Sequence, residues 1–333
     1  MSYEYSEDGL IEQAVEHVLT AIGWQVKTAW HSETFGEEGL LGRDNRTEVV
    51  LERYLKRALK RYNPDLPEIA YGRAIEKIVQ TDAGQTTEQL NKAKYSLLRD
   101  GVQVTFQNSK GHNETKTLRV FDFEDYHNNH FLAVRQLEVH SEIYRRRPDV
   151  IGFVNGLPLL FMELKAPAVA LENAYSNNIS DYKDAIPHVF HHNAFILLSN
   201  GLETKLGTIT SSFQHFMEWK RIQEDEEGET SLDTAIKGTC SPAYLMDIFE
   251  NFLLFNDAGG GILKLMARNH QYLGVNRVIE NVKRKEELKG QLGVFWHTQG
   301  SGKTYSMANA SFTEILQWGG TATNYLAFYQ FRI

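Results

Sequence analysis

Asp149 and the triplet Glu163-Leu164-Lys165 stand fourteen residues apart across a segment patterned as a β-hairpin. From Arg147 to Lys165 the chain shows two apolar runs with the turn dipeptide Asn155-Gly156 between them, and charges only at the outer ends. Such a hairpin brings two carboxylates and one ammonium together. Two acidic oxygen ligands can hold Mg²⁺ between protein and phosphate, and a lysine can orient the attacking water or neutralise charge on the scissile phosphate. The chemistry that this set suits is phosphodiester hydrolysis. A bare D…ExK spacing is also what solvated strand ends look like. Here Glu163 follows Leu157 and the apolar run Leu159 to Met162, so it sits at the margin of a core, where an unpaired charge is costly.

A second set lies near the C-terminus. Val294-Phe295-Trp296 reads as a short buried strand, His297 to Thr304 as a phosphate loop, and Tyr305 onward as the opening of a helix. The pattern G-x-x-x-x-G-K-[ST] is intact except that His297 occupies the first glycine position. In such a loop Gly300, Ser301 and Gly302 offer backbone N–H groups to phosphate oxygens, Lys303 reaches the β- and γ-phosphates, and Thr304 ligates Mg²⁺. ATP with Mg²⁺ is the expected ligand.

The elements that position the first set can be tested by parity. Both apolar runs have strand composition, and Asn-Gly is a strong short-hairpin signal. Side chains alternate faces along a strand, so a strict two-residue turn would pair Asp149 with Met162 and scatter the site. A three-residue loop, Val154 to Gly156 with a G1 bulge, restores Asp149, Glu163 and Lys165 to one face. The expectation is that odd loop, or an equivalent bulge elsewhere in the hairpin.

Around it, helices are expected at Leu10 to Ile22, Glu52 to Tyr62 and Leu171 to Asp184, from apolar residues recurring at helical spacing. Strands are expected near Val102 to Phe106, Thr117 to Phe123, Phe131 to Val139 and Ala194 to Ser199, with the site at one sheet edge. Further helices, from Pro242 to Phe255 and from Leu263 to Lys283, lead into the phosphate loop. The acidic run Glu224-Asp225-Glu226-Glu227-Gly228-Glu229 marks a boundary. It divides the chain into residues 1–222, a linker over 223–240, and 241–333.

Length and composition fit two such parts: 333 residues, 42% hydrophobic and 11% aromatic, are enough for substantial cores. A single cysteine, Cys240, excludes an internal disulfide and a multi-cysteine zinc site. The cluster His188, His191 and His192 reads as polar loop surface. With no signal-like N-terminus and no long apolar run, the expectation is a soluble, cytoplasmic protein with no membrane partner. A net charge of −8 argues against a surface that coats DNA uniformly. Local patches remain: a stripe of Arg53, Lys56, Arg57, Lys60 and Arg61 along one helix, and the run Arg145-Arg146-Arg147 directly before Asp149, better placed to guide a DNA backbone.

With both signatures in order, the chain resembles the restriction (R) subunit of type I restriction-modification enzymes, in which a PD-(D/E)xK endonuclease domain precedes a superfamily 2 DNA translocase. The resemblance runs from Glu12 through Asn91 to Val104, Phe131 to Pro167, Phe195 to Gly201, and Ala267 to Thr304. It implies an α/β fold: a restriction-endonuclease-like mixed sheet flanked by helices, then the beginning of a P-loop RecA-like helicase domain. It also implies that Asp149 and Glu163 are Mg²⁺ ligands and Lys165 the catalytic lysine. Glu12 becomes a first-helix acidic residue at the metal, with Glu16 as a competitor, and Gln271 an adenine-reading glutamine. A Gln-x-x-x-Tyr element of related nucleases has Asn178 and Tyr182 as its counterpart here, with a shorter amide. Double-stranded DNA is the implied substrate, and methyltransferase (M) and specificity (S) subunits the implied partners. The chain ends at Ile333, before any Walker B motif or second RecA-like domain, and a natural truncation or frameshift is expected, without a working motor. The competing expectation is a catalytically silent remnant that binds DNA or partner subunits.

Overall fold

In the computed structural model, residues 7–293 are described, apart from 109, 229, 230, 258 and 292. The chain opens with helix α1 (Glu7–Ala21), strand β1 (Gln25–Thr28) and helices α2 (Glu52–Tyr62), α3 (Glu68–Val79) and α4 (Thr87–Asp100). Strands β2 (Val102–Gln107), β3 (Asn113–Leu118), β4 (Phe131–Arg135), β5 (Val139–His140), β6 (Arg145–Arg146), β7 (Val150–Val154) and β8 (Leu157–Leu164) follow. A single long helix then comprises α5 (Leu171–Asn173), a π-helical turn over Ala174–Ile179 and α6 (Ser180–Ala185), before strands β9 (Phe195–Ser199) and β10 (Thr204–Gly207). Helices α7 (Leu232–Cys240) and α8 (Pro242–Asn251), strands β11 (Leu253–Asn256) and β12 (Leu263–Met266), and helix α9 (Asn269–Lys283) complete the described elements.

Six strands form a mixed sheet in the order β1-β4-β7-β8-β9-β10, with β1 parallel to β4, β8 parallel to β9, and the other pairs antiparallel. Strands β7, β8 and β9 are buried along their whole length, which is why their sequences are continuous apolar runs rather than alternating ones. Alternation survives in what each side chain meets. Val150, Met162 and Leu197 join a core with Val15, Leu19 and Tyr95, whereas Ile151, Phe161 and Leu198 join one with Ile179, Tyr182 and Phe190. The hairpin β7–β8 therefore lies in the middle of the sheet, not at the sheet edge that was expected, and its open end is flanked by strands on both sides.

Asn155 (φ 51°) and Gly156 (φ 83°) close β7 onto β8 as a two-residue turn with both φ positive, the twist that suits a tight hairpin. Leu51 donates its N–H to the Gly156 carbonyl at 2.8 Å, and a Cβ on Gly156 would lie 2.3 Å from the Leu51 carbonyl oxygen. The three-residue loop is thus corrected, while its alternative holds. Val154 pairs with Leu157 and Phe153 with Pro158, but Gly152 pairs with Leu160, so Leu159 is a bulged residue. Beyond it Val150 pairs with Met162, and the same register sets Asp149 opposite Glu163. Gly152 is needed there, since a Cβ would meet Leu160 Cβ and the Trp24 ring at 2.9 Å.

Other expectations are amended. Strands β2 and β3 pair only with each other, as a ribbon beside the main sheet. β2 buries alternate residues and β3 is largely exposed, so the ribbon has one covered face, and Lys77 of α3 caps it through the Gln103 carbonyl at 2.7 Å. Helices α3 and α4 and strands β1 and β10 were not anticipated. The Leu263 to Lys283 helix is shortened to α9, because residues 263–266 pair with β11.

Within the expected linker, residues 232–240 form α7, N-capped by Ser231 Oγ accepting from Thr234 N at 3.1 Å. Its end is buried against the first part of the chain, where Trp24 Nε1 donates to the Cys240 carbonyl at 2.8 Å. Among the described residues of that stretch, 223–228 are exposed. One continuous apolar cluster runs from Ile11 to Val275, so the residues after 231 share the core of those before it. His191 and His192 are buried rather than a polar surface; burial pushes the His192 imidazole down to about 3 and keeps it neutral, with Nε2–H donating to the Ile78 carbonyl at 3.0 Å.

Candidate active site

The open end of the central hairpin assembles the expected triad. Asp149 continues β7 and is half-buried; its Oδ2 accepts the Leu164 N–H at 2.7 Å, which locks the carboxylate across the hairpin. Glu163 is 1% exposed. Lys165 Nζ donates to Glu163 Oε1 at 2.7 Å, and its main chain is fixed by an N–H to the Ser199 carbonyl at 2.9 Å. Parallel pairing of β8 with β9 thus holds the lysine at the strand end while its head remains partly accessible.

Glu163 Oε2 is buried with no hydrogen-bond partner. Burial first, and then the negative charge of Asp149, push the Glu163 carboxyl up to about 8, despite the opposing pull of Lys165. Tyr182 lies beside the same carboxylate. Its phenol is raised by burial and by Glu163, and it interacts with Asn178 one turn earlier, so the helix after the lysine brings Asn178 and Tyr182 to the site together. Phe161 supports the Tyr182 ring at a centroid distance of 5.6 Å. The π-helical turn, which leaves Ser180 N donating to the Tyr175 carbonyl five residues back, falls on the stretch that carries Asn178.

A buried carboxylate with an orphaned oxygen, facing a second carboxylate, is a donor set that a divalent cation would complete. No group of three or more His, Cys, Asp or Glu side chains close enough to share an ion occurs among the described residues. The residues placed to hold an ion here are Asp149 and Glu163. Glu12, on α1, is 1% exposed: Oε2 accepts from Arg135 Nη2 at 2.9 Å and Oε1 from Gln136 Nε2 at 2.5 Å. Glu16, the competitor, pairs with Arg135 Nη1 and is half-exposed.

The arginines divide. Arg146 forms a two-pronged pair with Asp181 of α6, its Nη2 2.7 Å from Oδ1, and so ties β6 to the helix carrying Tyr182. The Arg147 guanidinium lies 3.7 Å from the centre of the Trp30 ring, and Arg145 is exposed. In the basic stripe, Arg53 is spent on the carbonyls of Glu37 and Gly39, Lys56 and Lys60 on Glu68, and Arg61 on Asn128. Gln271 is buried; its Oε1 accepts the Arg268 N–H at 2.8 Å at the start of α9. Gly300, Ser301, Gly302, Lys303 and Thr304 lie outside the described residues.

Sequence reading missed Gln136 and Arg135. Both follow directly on the apolar run of β4, and Arg135 pairs with Val150, so Gln136 falls beside Asp149. Polar residues at the end of a fully buried strand, next to the strand that carries Asp149, were the available signal.

Residues 4–215 match the family model described as type I restriction enzyme R protein N terminus. Residues 270–319 match a second, described as SWI2/SNF2 ATPase. Among curated relatives, the type I restriction enzyme HindI endonuclease subunit of Haemophilus influenzae is 36% identical over 309 residues, covering 89% of this chain and 29% of that protein. The putative MjaIXP endonuclease subunit of Methanocaldococcus jannaschii is 27% identical over 91% of this chain and 31% of its own length. A Staphylococcus aureus type I restriction enzyme endonuclease subunit is 26% identical over 58% of the chain. The chain spans less than a third of the length of these relatives.

Proposed function

The chain belongs to the family of type I restriction enzyme R protein N termini, and from that premise we propose that it is a Mg²⁺-dependent DNA endonuclease portion of such a subunit. The observation that carries this reading is the register that sets Asp149 opposite Glu163, with the orphaned Glu163 Oε2 beside them and Lys165 2.7 Å from Oε1. Asp149 and Glu163 would hold the cation, which supplies a Lewis acid for a phosphodiester oxygen. Lys165, whose ammonium lies 2.7 Å from Glu163 Oε1 at the end of β8, would offer its N–H groups to the scissile phosphate or the attacking water. Tyr182 and Asn178 keep Glu163 in place, while Arg145 and Arg147 offer cations to the DNA backbone beside it. Gly300, Ser301, Gly302, Lys303 and Thr304 with Gln271 are proposed as an ATP-phosphate site, and M and S subunits as partners, by analogy with the family. No described helix is long and apolar enough to cross a membrane, and a cytoplasmic setting follows from the proposed role.

The same carboxyl favours a second reading. With Glu163 pushed up to about 8, a protein that fails to capture a cation holds Glu163 protonated near neutral pH and is a silent binding module. Cleavage of supercoiled plasmid with Mg²⁺ or Mn²⁺ and no ATP, by the folded parent and by Lys165→Ala, separates them. Nicking that Lys165→Ala loses supports the nuclease; a folded, metal-binding parent that leaves the plasmid intact supports the silent module.

A further inference from the structure

Gln136 occupies an unusual position. Its backbone is left-handed (φ 53°), a conformation disfavoured for a long side chain, yet it is 5% exposed and held at three points. Its N–H donates to the Asp149 carbonyl at 2.9 Å. Its side-chain amide donates to Glu12 Oε1 at 2.5 Å and to Asp149 Oδ1 at 3.3 Å. One NH₂ group thus spans two carboxylates from different elements, α1 and the start of β7. Asp149 Oδ2 accepts the Leu164 N–H, and this amide is a donor to its Oδ1. Behind it, Arg135 Nη2 holds Glu12 Oε2 at 2.9 Å, so both oxygens of Glu12 already accept from donors on the end of β4.

We infer that Glu12 and Gln136 form a relay that aims Asp149, with Glu12 acting through Gln136 as a positioning residue and not as a metal ligand. This rests on the nuclease reading of Asp149 and Glu163 and amends the place given to Glu12 by the resemblance. An acidic residue is suited to the rear of the relay because it accepts from Arg135 and Gln136 at once. An amide is suited to its middle because a carboxylate there would face two others without a proton to donate.

The test is Mn²⁺ binding to the full chain without DNA, followed by the loss of the free-ion electron paramagnetic resonance signal. Asp149→Asn serves as the reference loss. Gln136→Ala and Glu12→Ala should each weaken Mn²⁺ about 10- to 100-fold, the usual effect of removing an outer partner of a metal ligand. The double variant should be no worse than either single one, as expected when two residues act through one chain of contacts. Glu12→Gln, which keeps an oxygen for the Gln136 amide, should restore most of the affinity. Gln136→Gly removes the same amide but relieves the left-handed backbone, so it should melt higher than Gln136→Ala while losing as much affinity, a split that a merely structural role does not give. Additive losses, or a Glu12→Gln loss equal to that of Asp149→Asn, would make Glu12 a ligand and overturn the relay. If Asp149→Asn weakens Mn²⁺ and Gln136→Ala does not, the relay fails and the nuclease reading stands. If Asp149→Asn itself has no effect, the reading beneath the relay fails with it.

Discussion

Two buried ionisable side chains, Glu163 and Lys264, sit in the same protein and are handled in opposite ways. Lys264 of β12 is 2% exposed and, among the described residues, forms no ion pair; burial pushes it down to about 7. Its Nζ donates to Asn91 Oδ1 at 3.0 Å and to the Asn193 carbonyl, so neutral dipoles take its N–H groups. Asn91 in turn donates to the carbonyls of Phe190 and Asn193, at 2.8 and 2.9 Å, completing a joint between α4, β12 and the turn before β9. Glu163 is as deeply buried but is left with an orphaned oxygen, a second carboxylate opposite and an ammonium that it shares. A satisfied buried group reads as structure. An unsatisfied one beside like charge reads as a place for a ligand.

The comparison breaks most sharply at Lys165. Lys165→Ala should lower Mg²⁺-dependent plasmid nicking by about 10²- to 10³-fold, the scale of losing one donor to a developing anion, while Lys264→Met should leave the rate of the folded fraction near that of the parent. Equal losses in both variants, read from initial nicking rates, would erase the distinction.

Stability against pH sharpens it further. Glu163 has a folded pKa raised to about 8 from 4.5, so without metal its contribution is full below 4.5 and is lost as pH rises through 8. Lys264 has a folded pKa lowered to about 7 from 10.5, so its contribution is present above 10.5 and is lost as pH falls through 7. The unfolded chain then binds fewer protons than the folded one in the first window and more in the second. Urea midpoints of the metal-free protein should carry a falling slope from pH 5 to 8 that Glu163→Gln flattens, and a rising one from pH 7 to 10 that Lys264→Met flattens. Each is worth a few kcal/mol on the scale of about 1.4 kcal/mol per pKa unit. If neither substitution changes its slope, neither group is buried as described.

The smallest effect belongs to the exposed charges. Arg146 and Asp181 pair with side chains 29% and 40% exposed, so Arg146→Ala should shift the urea-derived stability by no more than about 1 kcal/mol. A larger loss would mean that this pair, and not the Phe161–Tyr182 packing, holds α6 against the site.

The hairpin was legible because three separate signals agreed: apolar runs, the Asn-Gly turn, and a parity argument that demanded an odd residue. Where that residue sits was not legible, since Leu159 looks like its apolar neighbours and nothing in the run marks it as the unpaired residue. β2 is legible as a strand, but the alternation Val102-Gln103-Val104-Thr105-Phe106-Gln107 describes a ribbon with one covered face rather than a strand of the main sheet, and the strand expected at Thr117 to Phe123 overlaps β3 only at Thr117 and Leu118. Helix α4 carried a readable start, Thr86 with Gln89 three residues on, and the two side chains do cap each other's backbone at 3.3 and 2.8 Å. Helix α7 was hidden by the acidic run before it, because its helical nature depends on partners far away in sequence, Trp24 among them. Gln136 carries only a weak signal, a polar residue directly after the buried run of β4, and nothing local marks it as the link between α1 and Asp149.

The central claim, that Glu163 and Asp149 form a cation site in which the cation replaces a proton, is tested most directly by counting protons. Mn²⁺ titrated into the folded chain at pH 7, by calorimetry in buffers of different ionisation enthalpy, reports the protons released per ion bound. With Glu163 held near 8, close to one proton should leave as Mn²⁺ binds, and none in Glu163→Gln. Binding without proton release, or release that persists in Glu163→Gln, would contradict the account.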